Sequence, residues 1–250
     1  MGEPVGTLGD AFLARQRLLV VAPHPDDETL GCAGTIARVK SLGGQAYVMV
    51  VSVGGITQHG RGAGGRGPGF VSGPERRAEF DDVMKFLDLD DYEVLFDEDA
   101  LHERLDTVPQ RMLIEQIEYA AALSLEKLRP SMVLIPARSY NQDHAATFRA
   151  CLAATRPASA GARYLVPNVL VYDNTTAFWS VPDEWFVPNV FIDISAHLDT
   201  KAEALRRYSS QVRPAPFHGS PEGAQITAAF HGGQVSIAAA EAFQALRLTW

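Results

Sequence analysis

Arg17-Leu18-Leu19-Val20-Val21-Ala22-Pro23-His24-Pro25-Asp26-Asp27-Glu28-Thr29-Leu30-Gly31 is the stretch on which the fold turns. Residues 18–22 form a continuous apolar run, the mark of a strand buried on both faces. Pro25 suits the start of a helix, and the acidic residues after it suit the first turn, where the helix dipole is positive. A buried strand passing through a polar turn into a helix is the repeating piece of an α/β fold.

Outward from that piece, short β-branched runs alternate with longer segments of helical period. Strands are expected at Arg17–Ala22, Ala46–Val53, Tyr92–Phe96, Ser131–Pro136, Asn168–Tyr172 and Asn189–Ile194. Helices are expected at Asp26–Leu42, His144–Thr155, Leu198–Gln211 and Ser236–Leu246. Phe80, Val83, Met84 and Leu87 share one helical face, as do Ile114, Ile117, Ala121, Leu125 and Leu128. The class is α/β, a single domain over residues 1–250 whose mostly parallel sheet is covered by helices on both faces. Gly54–Gly73 stands apart: glycine recurs around His59, Arg61 and Arg66, so a mobile loop following the second strand, placed to act as a lid, is expected there.

Composition narrows the function. The chain is 46% hydrophobic and 21% charged, the balance of a globular protein, and its formal net charge of -8 opposes binding to phosphate backbones. No basic stripe, cationic leader or membrane-length apolar run is present, so neither nucleic acid nor membrane is expected as a partner. The two cysteines, Cys32 and Cys151, lie far apart, which fits buried hydrophobes in a reduced, cytoplasmic setting. No G-x-G-x-x-G or Walker sequence follows the first strand, which sets aside a nucleotide-dependent enzyme.

What remains is the polar turn itself. His24, Asp26 and Asp27 cluster at the mouth of a buried strand, where unpaired charge is costly, and a bound cation accounts for them better than helix capping does. Successive helical residues project roughly 100° apart, so one of the two aspartates can coordinate while the other faces the water to be activated. A catalytic zinc commonly takes three protein ligands from His and carboxylate. The best third candidate is His144, in Tyr140-Asn141-Gln142-Asp143-His144 after the apolar run Met132–Pro136, with His59, His102, His197, His218 and His231 also available. Glu28 can orient His24 or cap the helix. Asp173 and Asn174 end a strand at the same edge and are candidate substrate contacts. Trp179, Trp185 and Phe186 are candidates for sugar stacking, for packing between subunits or for plain burial.

The strand followed by Pro23-His24-Pro25-Asp26-Asp27-Glu28-Thr29-Leu30-Gly31, with a later Asp143-His144 pair after an apolar strand, resembles the LmbE-like, or PIG-L, family of zinc-dependent N-deacetylases. Arg76 and Glu79 resemble the family's R-x-x-E, and Ala240-Glu241-Ala242-Phe243 resembles its closing helix. The resemblance implies a Rossmann-like, LmbE-like fold, with His24, Asp27 and His144 as metal ligands, Asp26 as general base and Arg76 facing the substrate. It implies Zn2+ as the metal, with Fe2+ or another divalent ion serving the same ligands. Its substrates are typically N-acetylated amino sugars, free or conjugated, cut to a primary amine and acetate, and its members tend to form homo-oligomers. Some relatives cleave other amides, so a non-sugar N-acyl intermediate is the alternative substrate, and a weakened metal- or sugar-binding homologue the alternative role. Where many members carry a second histidine, this chain has Asn141, which can donate a hydrogen bond to an oxyanion but cannot carry positive charge.

Overall fold

A computed structural model describes residues 6–59, 68–159, 161–173 and 186–249. Among these, helix α1 (Gly6–Leu13) precedes strand β1 (Arg17–Ala22), helix α2 (Asp27–Ser41) and strand β2 (Gln45–Ser52). Two short strands, β3 (Ile56–His59) and β4 (Pro68–Val71), lead to helix α3 (Gly73–Phe86) and strand β5 (Asp91–Phe96). Helices α4 (Gln110–Glu115) and α5 (Leu125–Leu128) come before strand β6 (Met132–Pro136), helix α6 (Gln142–Ala154) and strand β7 (Asn168–Tyr172). Strand β8 (Val190–Asp193), helices α7 (Leu198–Arg207) and α8 (Pro221–Gln234), and strand β9 (Ala240–Arg247) complete the order.

Seven strands form one sheet in the order β5-β2-β1-β6-β7-β9-β8. The pairs from β5 to β7 are parallel, whereas β9 runs antiparallel to both β7 and β8. Alternation along β1 sends Leu18, Val20 and Ala22 into one core and Leu19 and Val21 into the other, so each face of the sheet has its own apolar layer. The chain leaves β1 toward β2 on one side and returns on the other side as β6. Such a reversal opens a crevice at the carboxyl ends of the two strands, where ligands bind in open α/β sheets.

The structure corrects several expectations. Ser236–Leu246 is no helix: Ala240-Glu241-Ala242-Phe243 opens strand β9. Alanine favours helix, but between β7 and β8 its small side chain lets helices pack close, and tertiary context prevails. Glu241 then reaches α2, accepting from the backbone N–H of Gly34 (2.9 Å) and Thr35 (2.7 Å). Lys201 balances that buried charge at 2.5 Å and donates to the Leu30 carbonyl at 2.6 Å. The face from Ile114 to Leu128 is broken, since α4 passes into a π-helical turn at Gln116–Ala120 before α5, although Ile117, Ala121, Leu125 and Leu128 are all buried. The ends of the expected Gly54–Gly73 loop pair as an antiparallel hairpin, Ile56 opposite Val71 and His59 opposite Pro68. Its middle, residues 60–67, lies outside the described residues, as do Asn174, Trp179 and Trp185.

Gly31 fits α2 against the sheet. A Cβ there would overlap the ring of Tyr172, which is fully buried and donates its hydroxyl to the Val21 carbonyl at 3.0 Å. Gly31→Ala is expected to lower stability by about 1–3 kcal/mol, the usual cost of overpacking, read as a fall in the denaturation midpoint at constant slope. An unchanged midpoint would contradict this packing.

Candidate metal centre and active site

Two turns at neighbouring strand ends build the site: Pro23–Glu28 after β1 and Asn141–His144 after β6. His24, Asp27 and His144 are buried, and one ligand atom from each lies within 4.8 Å of the others. Asp27 stands between the histidines, its Oδ2 3.6 Å from His24 Nδ1 and 3.3 Å from His144 Nε2. His24 Nε2 lies 2.9 Å from Asp143 Oδ2 and donates to it, which leaves the Nδ1 lone pair facing Asp27. The other Asp143 oxygen accepts from the Leu105 backbone N–H at 2.8 Å. A histidine oriented by a buried carboxylate, beside a second carboxylate and a second imidazole, is a donor set that suits a divalent cation.

The protonation pattern without a cation fits that reading. Burial opposes charge on His24, but the hydrogen bonds to Asp143 and Asp27 prevail and raise its pKa to about 9. Burial likewise opposes the Asp27 anion, yet the charges and hydrogen bonds of His144 and His24 hold it far below the ordinary carboxylate range. In effect, the proton on His24 stands where a cation would stand.

Asp26 differs from its neighbour. It occupies the N-cap position of α2, but its side chain makes no capping bond, and its backbone is left-handed at φ 101°. A non-glycine residue there costs about 1–3 kcal/mol, a strain that gathers at functional sites. Glu28 holds the conformation by accepting the Asp26 N–H on Oε2 at 3.1 Å, while Tyr208 (2.6 Å) and Thr29 (2.7 Å) donate hydroxyls to its Oε1. The Asp26 carboxyl lines an open cleft of ≈ 180 Å³ beside Asp27, Asn141, His144 and Tyr208. Burial and the Asp27 charge push its pKa well above the ordinary value, against the pull of Arg76 and His24.

Asn141 caps α6 through Oδ1, which accepts the Asp143 N–H at 2.8 Å, so Nδ2 is its remaining donor at the cleft. Arg76 is only 3% exposed, and Nη1 donates to the Gly54 carbonyl and to His102 Nε2. It meets the site through its charge on Asp26 and does not line the cleft. Asp173 lines a separate small cavity with Lys201, His231 and Glu241.

Three partners were not found from the sequence. Asp143, read there only as half of an Asp-His pair, orients His24; Glu28, considered for that task, instead anchors Asp26. Tyr208 comes from α7's C-terminal end with no local motif to mark it. His102 stacks edge-on to His24, ring centroids 4.9 Å apart, and Ser52 Oγ lies 3.2 Å from its Nδ1. A guanidinium can only donate, so His102 Nε2 accepts from Arg76 and Nδ1 carries the proton. Burial and the charges of His24 and Arg76 keep this ring neutral, with its pKa lowered to about 3.

The family model described as PIG-L, GlcNAc-PI de-N-acetylase, matches residues 19–155, which span both turns of the site. The chain belongs to this family. Among solved structures, the PIG-L chain is similar to the conserved protein TT1542 from Thermus thermophilus, at 27% identity and TM-score 0.67 over 94% of this chain and 96% of that one. It is also similar to the N,N'-diacetylchitobiose deacetylase of Pyrococcus horikoshii, at 18% identity and TM-score 0.66 over 98% and 94%. A third is GalB, the 4-carboxy-2-hydroxymuconate hydratase of Pseudomonas putida, at 20% identity and TM-score 0.67 over 93% and 98%. At these identities the last two speak for the fold alone. No curated protein sequence matches the chain.

Within the PIG-L site, Asp143 is expected to contribute to metal affinity through His24. Asn at this position offers one acceptor where two are needed, so either His24 Nε2 or the Leu105 N–H faces an amino group. Asp143→Asn is expected to weaken metal binding by about 10–100-fold, measured by competition with a chromophoric chelator. Wild-type affinity in that variant would remove Asp143 from the centre.

Proposed function

We propose that this PIG-L protein is a metal-dependent N-deacetylase that hydrolyses the acetamide of an N-acetylated amino sugar or sugar conjugate to a free amine and acetate. The observation that carries the reading is the pairing of two carboxylates with different surroundings. Asp27 is engaged by His24 and His144, whereas the neighbouring Asp26 carboxyl accepts no hydrogen bond from a described residue and faces the cleft.

His24, Asp27 and His144 would hold the metal, Zn2+ in our reading, whose Lewis acidity would polarise an amide carbonyl and make water a nucleophile near neutral pH. Asp26 takes a proton from the attacking water as its oxygen bonds to the acetyl carbon. The Asn141 amide donates a hydrogen bond to the carbonyl oxygen as that oxygen gains charge. Asp26 then returns the proton to the nitrogen as the C–N bond breaks, which an amine leaving group requires. The raised pKa of Asp26 suits both halves of this exchange, since a base matched to its task must also give the proton back. Arg76 supports Asp26 with its positive charge, and Tyr140, Phe217 and His218 on the cleft wall offer surfaces for a sugar ring.

Incubating the zinc-loaded protein with a panel of N-acetylhexosamine conjugates, with amine and acetate followed together, tests this reading. Equimolar amine and acetate are expected from at least one member. Addition of water to a carbon–carbon double bond without acetate release, the type of reaction named for the hydratase neighbour, would overturn it.

A further inference from the structure

We propose that Arg213 forms an anion subsite in the cleft, taking a phosphate or carboxylate group of the sugar conjugate whose acetamide lies at Asp26; this rests on the deacetylase reading above. Among the described residues that line the cleft, Arg213 is the only Lys or Arg, on a chain of formal net charge -8 whose cleft floor carries Asp26 and Asp27. Among the described residues no carboxylate pairs with it. Its guanidinium instead lies over the Phe217 ring, 5.0 Å from the centroid. A cation–π contact occupies no hydrogen-bond donor, so the N–H groups of the guanidinium are left for the two-pronged binding of phosphate or carboxylate.

The wall that carries Arg213 is anchored on both sides. Before it, Tyr208 is tied to Glu28, and Ser210 donates its backbone N–H (2.7 Å) and hydroxyl (2.5 Å) to Glu79 on α3. After it, Ser220 caps α8 by accepting the Gly223 N–H at 2.9 Å. The cation is thereby held over the cleft before any ligand arrives, which lowers the entropic cost of binding. His218, beside it on the wall, is kept from adding a second positive charge by burial and by Arg213 itself. One fixed cation beside an acidic floor selects for an anion placed away from the scissile acetamide.

The test compares three probes on the zinc-loaded full chain: N-acetylglucosamine, N-acetylglucosamine 1-phosphate and N-acetylmuramic acid. At least one anionic probe should show the higher kcat/KM, and whichever responds separates phosphate from carboxylate as the group recognised. In Arg213→Gln, the ratio of kcat/KM for that probe over the neutral one should fall about tenfold, the effect of one charge-assisted hydrogen bond. Arg213→Lys should restore part of the ratio, because it keeps the charge and loses the fork. Equal losses on all probes, or no anion preference in the unmodified protein, would overturn the proposal. Failure of the deacetylase reading shows separately, as absence of acetate from every probe. Calorimetric binding of the same probes to Asp26→Asn protein, with and without Arg213→Gln, still reads the discrimination.

Discussion

Replacing Asp26 with Asn is expected to lower kcat for acetamide hydrolysis by about 10²–10⁴-fold while leaving the metal content unchanged, the range typical for loss of a positioned general base. The size of the effect follows from the geometry of the turn. Asn is isosteric, so the left-handed backbone at φ 101° and the Glu28 anchor on the Asp26 N–H are kept. The candidate metal ligands His24, Asp27 and His144 are untouched. What disappears is, among the described residues of the cleft, the one carboxyl committed neither to helix capping nor to the His24–Asp27–His144 cluster. Metal analysis and steady-state kinetics on the same preparation check the prediction. Undiminished turnover would remove Asp26 from the chemistry, and loss of metal would mean that it ligates.

The second large effect is expected from His144→Ala. It removes one of three donors and leaves Asp27 with a single imidazole partner, so metal affinity should fall by more than the ~10–100-fold that loss of an outer hydrogen-bonding partner costs, and activity should fall with it. Proton competition provides an independent check on the unmodified protein. With its pKa raised to about 9 in the absence of metal, His24 must shed a proton before Nδ1 can ligate. Metal binding should therefore weaken by about tenfold for each unit that pH falls below about 9, and strengthen as pH rises toward that value. Isothermal titration in buffers of different ionisation enthalpy counts the proton released. A pH-independent affinity across that range would show that His24 Nδ1 takes no part.

Much of this centre was legible in the sequence because it is local. His24 and Asp27 lie three residues apart, directly after an apolar strand, and Asn141 and His144 follow another. Alternating strands and helices imply a mostly parallel sheet, with the site at its carboxyl edge, but not which strands are neighbours. Long-range contacts were not legible. That Asp143 rather than Glu28 steadies His24 depends on β1 and β6 being neighbours, which spacing does not encode. His102 and Tyr208 reach the site from a stretch with no motif and from a helix end, so nothing in their flanking residues marks them. The expected helix over Ser236–Leu246 failed for a different reason. Its alanines carry helix propensity, and only the vacancy between β7 and β8 makes Ala240–Arg247 a strand. Glu241, expected within that helix, is buried against α2 and paired with Lys201.

The central proposal is that one divalent ion, held by His24, Asp27 and His144, works with Asp26 on an N-acetyl group. Its most direct measurement is acetate release from a responsive N-acetylated amino sugar while the metal-free protein is titrated with zinc or iron(II). No release is expected without metal, followed by a linear rise with added ion and saturation at a single equivalent per chain. Full activity in protein freed of metal, or saturation that survives substitution of His24, Asp27 and His144, would contradict it.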